Sequence, residues 1–401
     1  MTSNYAFFYP VIEKHHGWVA VTWDTLANEP MNAADIATRF AQSEAASLTD
    51  LLPLILPVEP EWLNDGDFLG SFAPHQAIFL LPQTTLENEV LVECCQTLRS
   101  TGRSLGLQVS NTKIWQQIPP AAFDHVHFTA AFARNELQLA NLHRPQDSAF
   151  HRIVVQVGSY EMYDWLQQHG FEWCDSNFLT VRNPAISKKP NLAKLKLLQL
   201  LNIVDRDGDN REIEAVLREE PKLSYNLLRL VNSVTVGARM HIHNFSQAIT
   251  ILGRRQLQRW LQLLVYANNL SENNAPNPLM QLAAYRGHLL ELLSRSMDPG
   301  NQKNSDNAFM AGLFSMLDVL LNMPMSEILK ELPLDEAVSR ALNYPRQDGK
   351  TGQLLSSVID GGSGNFVGAA ETLSRLGITP EIHAHAQIAA LNWAARINME
   401  Q

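Results

Sequence analysis

His241 and His243 flank Ile242, so in an extended segment both rings point to one side and could chelate a metal ion. A zinc site needs three or four ligands, and no third one lies nearby in sequence. A hairpin-like connection is therefore the simpler expectation. Asp205-Arg206-Asp207-Gly208-Asp209 has the acidic spacing of a calcium loop. An EF-hand wants Gly at its sixth position and Glu at its twelfth, whereas here Gly is fourth and the twelfth residue is Val216. The same residues read better as a turn that caps the helix REIEAV. His383 and His385 lie in a helical context, where an i, i+2 pair diverges around the axis; a helix-borne metal pair would want i, i+4. Arg254, Arg255 and Arg259 form a small basic cluster after Gly253, in a segment superficially like a helix-turn-helix entry. The alternative is a solvated helix face with Leu257, Trp260, Leu261 and Leu264 buried at helical spacing. The adjacent Cys94 and Cys95 are expected as core and flank of one helix. The sequence holds no Gly-rich phosphate loop, G-x-S-x-G elbow or Cys-x-x-Cys pair.

The elements that must carry such groups follow from composition and patterning. A length of 401 residues is enough for two domains, and 45% apolar residues can build large cores. Three cysteines make no disulfide framework, which points to a reducing cytoplasm. The N-terminal stretch lacks the basic and apolar regions of a signal peptide, and no apolar run approaches the ~20 residues of a membrane span. The net charge is −10. Residues 1–189 hold 11 Lys/Arg against 20 Asp/Glu, and residues 190–401 hold 20 against 21. Such a chain is poorly suited to neutralising phosphates, so nucleic acid is an unpromising partner.

In the first half, apolar runs alternate with helical segments. AIFLL (77–81), LGLQV (105–109), HVHFTA (125–130) and IVVQV (153–157) read as strands, and NFLTV as the last strand-like segment. The segments 86–102 and 160–169 have helical spacing and run up to Gly102 and Gly170. This alternation predicts a parallel sheet or an α/β barrel. A boundary is expected near NPAISKKPN, giving domains 1–186 and 187–401, the second almost entirely helical. Asp-, Gly- and Pro-rich breaks recur near 298–306 and 345–365.

The helical half resembles the HDOD domain, a relative of the HD phosphohydrolases found in bacterial signalling proteins. LLRLVNS, SQAITILG, LQRWLQLLVYA, AAYRGHLLELLSRS, NAFMAGLFSMLDVLL and LPLDEAVSRALN carry the likeness, in the family's order. HD enzymes hold divalent metals through histidines and an adjacent His-Asp pair. By this resemblance Ser315 and Met316 replace that pair, and Arg286 falls where an upstream histidine would sit, with His288 close by. Serine is a poor ligand for a hard cation, methionine is a soft one, and arginine puts a positive charge where a cation should bind. Asn232 and Ser233 end an apolar helix, where Asn232 is expected to brace neighbouring backbone as a buried, satisfied amide.

The N-terminal half resembles the EAL domain, the TIM-like β/α barrel that hydrolyses cyclic di-GMP. The likeness rests on segment order: GWVAV, LGLQV, DHVHFT, VVQVGSYE and GFEWCDSNFLTVRNP. It implies that Val19 replaces the signature glutamate and that Gln108 and Val109 replace two metal-binding aspartates. His127 and Thr129 would replace a lysine and an aspartate, Gly158 a metal-ligand glutamate, and Asp175 with Ser176 a Gln-Gly pair. Two-metal phosphodiester hydrolysis needs several carboxylates and a base for the water.

These resemblances together imply a degenerate EAL-type barrel followed by a helical HDOD domain. The chain is then expected to be a non-catalytic bacterial signalling or scaffold protein in the cytoplasm, acting through protein partners in cyclic di-GMP, motility or stress networks. No metal, cofactor or membrane is expected, and cyclic di-GMP binding is doubtful. Two other readings stay open: a nucleotide or small-ligand receptor without turnover, signalled by a deep polar pocket, and a divergent cyclic di-GMP phosphodiesterase, signalled by carboxylates clustered at the barrel mouth.

Overall fold

The computed structural model describes residues 5–13, 17–26, 32–42, 45–136, 150–183, 254–267, 278–332, 334–347 and 349–397, with 203, 209 and 212–213. These fall into two compact units. One comprises Met1–Val181, Gly361–Ala370 and Thr379–Ala389; the other comprises Arg182–Asp360, Glu371–Ile378 and Ala390–Gln401.

The first unit is built on a closed eight-stranded barrel in sequential order. Its strands are β1 (Tyr5–Glu13), β2 (Trp18–Leu26), β3 (Leu54–Pro57), β4 (Ala77–Leu81), β5 (Ser104–Gln108), β6 (His125–Thr129), β7 (His151–Val155) and β8 (Trp173–Asp175). Strand β1 runs antiparallel to both its neighbours, β2 and β8, and every other pair is parallel. The barrel is filled from its inner face by Val11, Ala20, Ile55, Ile78 and Ile153, as period-two alternation in a closed sheet requires. Helices on the outside are started by short polar side chains. Asn88 accepts from the Val90 and Leu91 amides, Thr129 from Phe132 and Ser159 from Met162. Gly102 and Gly170 just beyond two of them sit at φ +88° and +73°, which a side chain would strain.

Four strands lie where apolar runs place them, with two corrections. β7 ends at Val155 rather than Val157 because Gln156 turns to φ +63°, and its amide and that of Val157 donate to the Asp175 carboxylate. NFLTV is a short 3₁₀ turn, Asn177–Thr180, and the strand is the preceding Trp173–Asp175. Asp175 again decides the matter, since it accepts from the Asn177 amide at 3.4 Å and bends the chain out of the sheet.

The N-terminal half of β1 extends beyond its short ladder with β8, which covers only Val11–Glu13. Within the same unit the Gln387 side chain serves that open edge: its amide donates to Ala6 O at 2.8 Å and its carbonyl accepts from Phe8 N at 3.2 Å. Phe366 stacks on Phe7 at 4.6 Å, and the buried His383 ring meets the edges of Tyr5 and Phe7. His385, two residues on, is exposed, the divergence expected of that helical pair.

The described part of the second unit is helical. Its central feature is the pair Pro278–Met297 and Gln302–Phe314, the latter begun by the Asn301 cap. The two helices meet through Gly287 and Gly312. A Cβ built on Gly312 would overlap the Arg286 carbonyl and lie 2.9 Å from Gly287 Cα, so only glycine permits this approach. Asn232, Ser233, His241 and His243 lie outside the described residues, as does most of the Asp205–Asp209 turn. Asp209 O accepts from Glu212 and Ile213 amides, as a helix start would.

Candidate functional site: the barrel mouth

Parallel strands leave their C-terminal ends at one rim, and in such barrels that rim carries the chemistry. A cavity of ≈ 820 Å³ opens there, within the first unit. The inward-facing residues near the strand ends form its floor and walls: Thr22 and Asp24 of β2, Gln108 of β5, His127 and Thr129 of β6, and Asp175 of β8. Tyr9 of β1, Glu59 and the turn Gly361–Gly364 complete the rim.

The polar groups divide by environment. Asp175 is buried, and burial raises its carboxyl from the ordinary 3.8 to about 6 even though the Gln156, Val157 and Asn177 amides favour its anion. Asp24 is partly buried and also raised, with the Thr25 amide and the Tyr9 hydroxyl opposing the loss of solvent. Burial and the Asp24 charge push the Tyr9 phenol up. His127 is buried and its ring is held neutral, lowered to about 3 by burial and then by His125. Its Nε2 has no hydrogen-bond partner.

Of the sequence-singled positions, the structure brings Gln108, Val109, His127, Thr129 and Asp175 around this one cavity. Val19 is not part of its lining: it falls at a β-bulge in β2, where the register slips opposite Val11 and Ile12, and packs on the barrel core. Gly158 is exposed beyond the end of β7, and Gln156 lines the cavity in its place. Sequence reasoning missed Tyr9, Asp24, Glu59 and the Gly361–Phe366 segment. The only signal for the last was the Gly-Gly-Ser-Gly run at 361–364.

In the second unit the structure brings together Arg286 and Ser315, two of the positions singled out by the resemblance to HD enzymes. Arg286 is buried, its Nη1 donates to Ser315 Oγ at 3.3 Å, and Met316, the next residue in sequence after Ser315, is fully buried. The charge of Asp318 opposes the burial that lowers the Arg286 guanidinium. A cationic side chain already fills this pocket, with a hydroxyl beside it and the one nearby carboxylate, Asp318, already serving as its counter-charge, so a divalent metal does not fit here. One helical turn away, Glu291 accepts from Arg259 at 2.5 Å and Arg295 at 2.6 Å, and His288 Nδ1 lies 3.2 Å off. Arg255 and Arg259 also bind Asp306. The basic cluster expected as a solvated face is so at the exposed Arg255, while Arg259 turns inward to the buried Glu291, and both arginines pair with acidic groups on the two neighbouring helices. Trp260 and Leu261 are buried as expected.

In the barrel mouth the donor set does not fit a two-metal centre either. Asp175 spends both oxygens on backbone amides, and among the described residues no three His, Cys, Asp or Glu are grouped to hold a metal ion. Among the described residues no helix is long and apolar enough to cross a membrane.

Comparison with known proteins agrees with the helical architecture. Residues 190–337 match the HDOD domain. The chain carries an HDOD domain. It is 23% identical over 357 residues to the cyclic di-GMP phosphodiesterase CdgJ of Vibrio cholerae, covering 88% of this chain and 77% of that one. It is also 25% identical over 194 residues to the uncharacterized protein YuxH of Bacillus subtilis, covering 47% of this chain but only 46% of YuxH. Among solved structures, the EAL enzyme Bd1971 in its cAMP-bound form is similar at a TM-score of 0.33 and 10% identity, over 43% of this chain and 61% of that one. Arg286, Ser315 and Met316 all lie within the matched HDOD segment.

Proposed function

We propose that this chain is a cytoplasmic signalling protein of a cyclic di-GMP-related network that does not cleave the nucleotide and acts through protein partners. One observation carries the reading: the ends of β5 and β6 supply Gln108, Val109, His127 and Thr129 to the barrel mouth, where hydrolysis would need carboxylates and a base. The neutral, buried His127 is in addition a weak base at physiological pH. The resemblance to CdgJ supports the network, and the resemblance of the barrel segments to EAL domains supports the nucleotide context. On the HDOD side, the Arg286–Ser315 contact supports a helical domain used for contact instead of metal chemistry.

A divergent phosphodiesterase is the second reading, favoured by Asp24, Glu59 and Asp175 sharing one cavity. Incubating the full chain with cyclic di-GMP and Mg²⁺ or Mn²⁺, then separating nucleotides by chromatography, distinguishes the two. The nucleotide is expected to remain intact. Appearance of the linear dinucleotide, lost in Asp24→Asn, would establish the second reading and end the first.

A further inference from the structure

We infer that the barrel-mouth cavity binds an organic cation, an ammonium group carried on an apolar body. Its volume, ≈ 820 Å³, lies in the range of small-molecule sites. Its charged lining is of one sign. Asp24, Glu59 and Asp175 face it, no Lys or Arg occurs among its described lining residues, and no described cation pairs with any of the three. A phosphodiester ligand entering without metal ions would meet three carboxylates and no counter-charge.

The rest of the lining suits a cation. Tyr9, Trp62 and Phe366 bring aromatic surface to the same space. Ring faces attract ammonium groups, by about 0.5–1 kcal/mol when exposed and ~2 when desolvated. Phe366 is held in place by its stack on Phe7. An independent sign of a missing ligand is His127. It sits on the inward face of β6, 4% exposed, with an unpartnered Nε2 on a residue that lines the cavity. Buried polar atoms are rarely left so without a function. The raised carboxyl of Asp24 has the same origin: an anion losing water without gaining a positive partner. A bound ammonium would supply that partner. Cation binding would stand whether or not the chain works through protein partners.

The test is calorimetry of the full chain with phenethylamine and benzyltrimethylammonium, against the neutral 2-phenylethanol and against metal-free cyclic di-GMP. Both cations are expected to bind at least about tenfold more tightly than the alcohol, with no heat from the dinucleotide. Gln108→Lys, an exposed lining position, is expected to abolish cation binding while the melting temperature holds. Asp24→Asn is expected to weaken it at least about tenfold. Equal binding of the alcohol, binding of the dinucleotide in preference to the amines, or no binding by either cation would each overturn the inference.

Discussion

Asp175 and Glu291 are both buried carboxylates, and their surroundings drive them in opposite directions. Asp175 has only neutral amides, three from the backbone and one long contact from the Asn177 side chain, to replace water, and its carboxyl rises to about 6. Glu291 also pays for burial, yet hydrogen bonds from His288 and Arg259, and the charge of Arg259, take it down to about 2. The consequences for stability have opposite signs. Glu291, depressed below its ordinary 4.5, stabilises the fold above that pH and loses its contribution as pH falls from 4.5 toward 2. Asp175, raised above 3.8, keeps a proton in the folded state that the unfolded chain has released, so its contribution falls as pH rises from 3.8 to 6. Replacing Glu291 by Gln leaves Arg259 and its neighbours without their anion. A loss of about 3 kcal/mol is expected at pH 7, shrinking as pH drops below 4.5, because the unfolded wild type then takes up a proton that the folded Glu291 does not. Urea titrations at pH 7 and pH 3.5 measure both. Equal stability of variant and wild type at pH 7 would remove the ion network from the account.

Among elements, the helix pair Pro278–Met297 and Gln302–Phe314 depends on two glycines. Gly312→Ala forces the pair apart at the Arg286 carbonyl and is expected to cost about 1–3 kcal/mol, as overpacking does. Gly300→Ala, which meets no atom within 4 Å, is the control and should unfold at the wild-type urea concentration. Equal midpoints for both variants would mean that the contact yields at no cost. Elements such as β4 were legible because a buried parallel strand is a short apolar run. The end of β7 was not, because it is decided by a carboxylate 19 residues further on. The same division runs through the site. Gln108, His127, Thr129 and Asp175 follow from segment order. Asp24 and Tyr9 come from the register of the β1–β2 hairpin, which the sequence leaves open. The arginines near 255 looked free because their counter-ions, Glu291 and Asp306, sit on helices distant in sequence.

On the scale of the whole molecule, chain order and compact structure part company. The barrel-bearing unit contains residues 361–370 and 379–389, more than 180 residues past β8. Those segments complete the barrel physically. Gln387 occupies backbone groups of Ala6 and Phe8 that would otherwise be an open sheet edge, and Phe366 and His383 cover Phe7. Leaving a buried donor or acceptor unpaired costs about 1–3 kcal/mol each, so losing Gln387 alone removes a sizeable part of a typical domain's stability. Gln387→Ala is therefore expected to lower stability by about 2 kcal/mol in the full chain. A fragment of residues 1–186 loses the amide, the Phe366 stack and the His383 packing together. It is expected to give a broad, non-cooperative melt and to bind a hydrophobic dye, where the full chain melts cooperatively and does not. A 1–186 fragment with a sharp transition near that of the full chain would show that the barrel closes without its C-terminal segments. Gln387 would then be an ornament on an already sufficient strand.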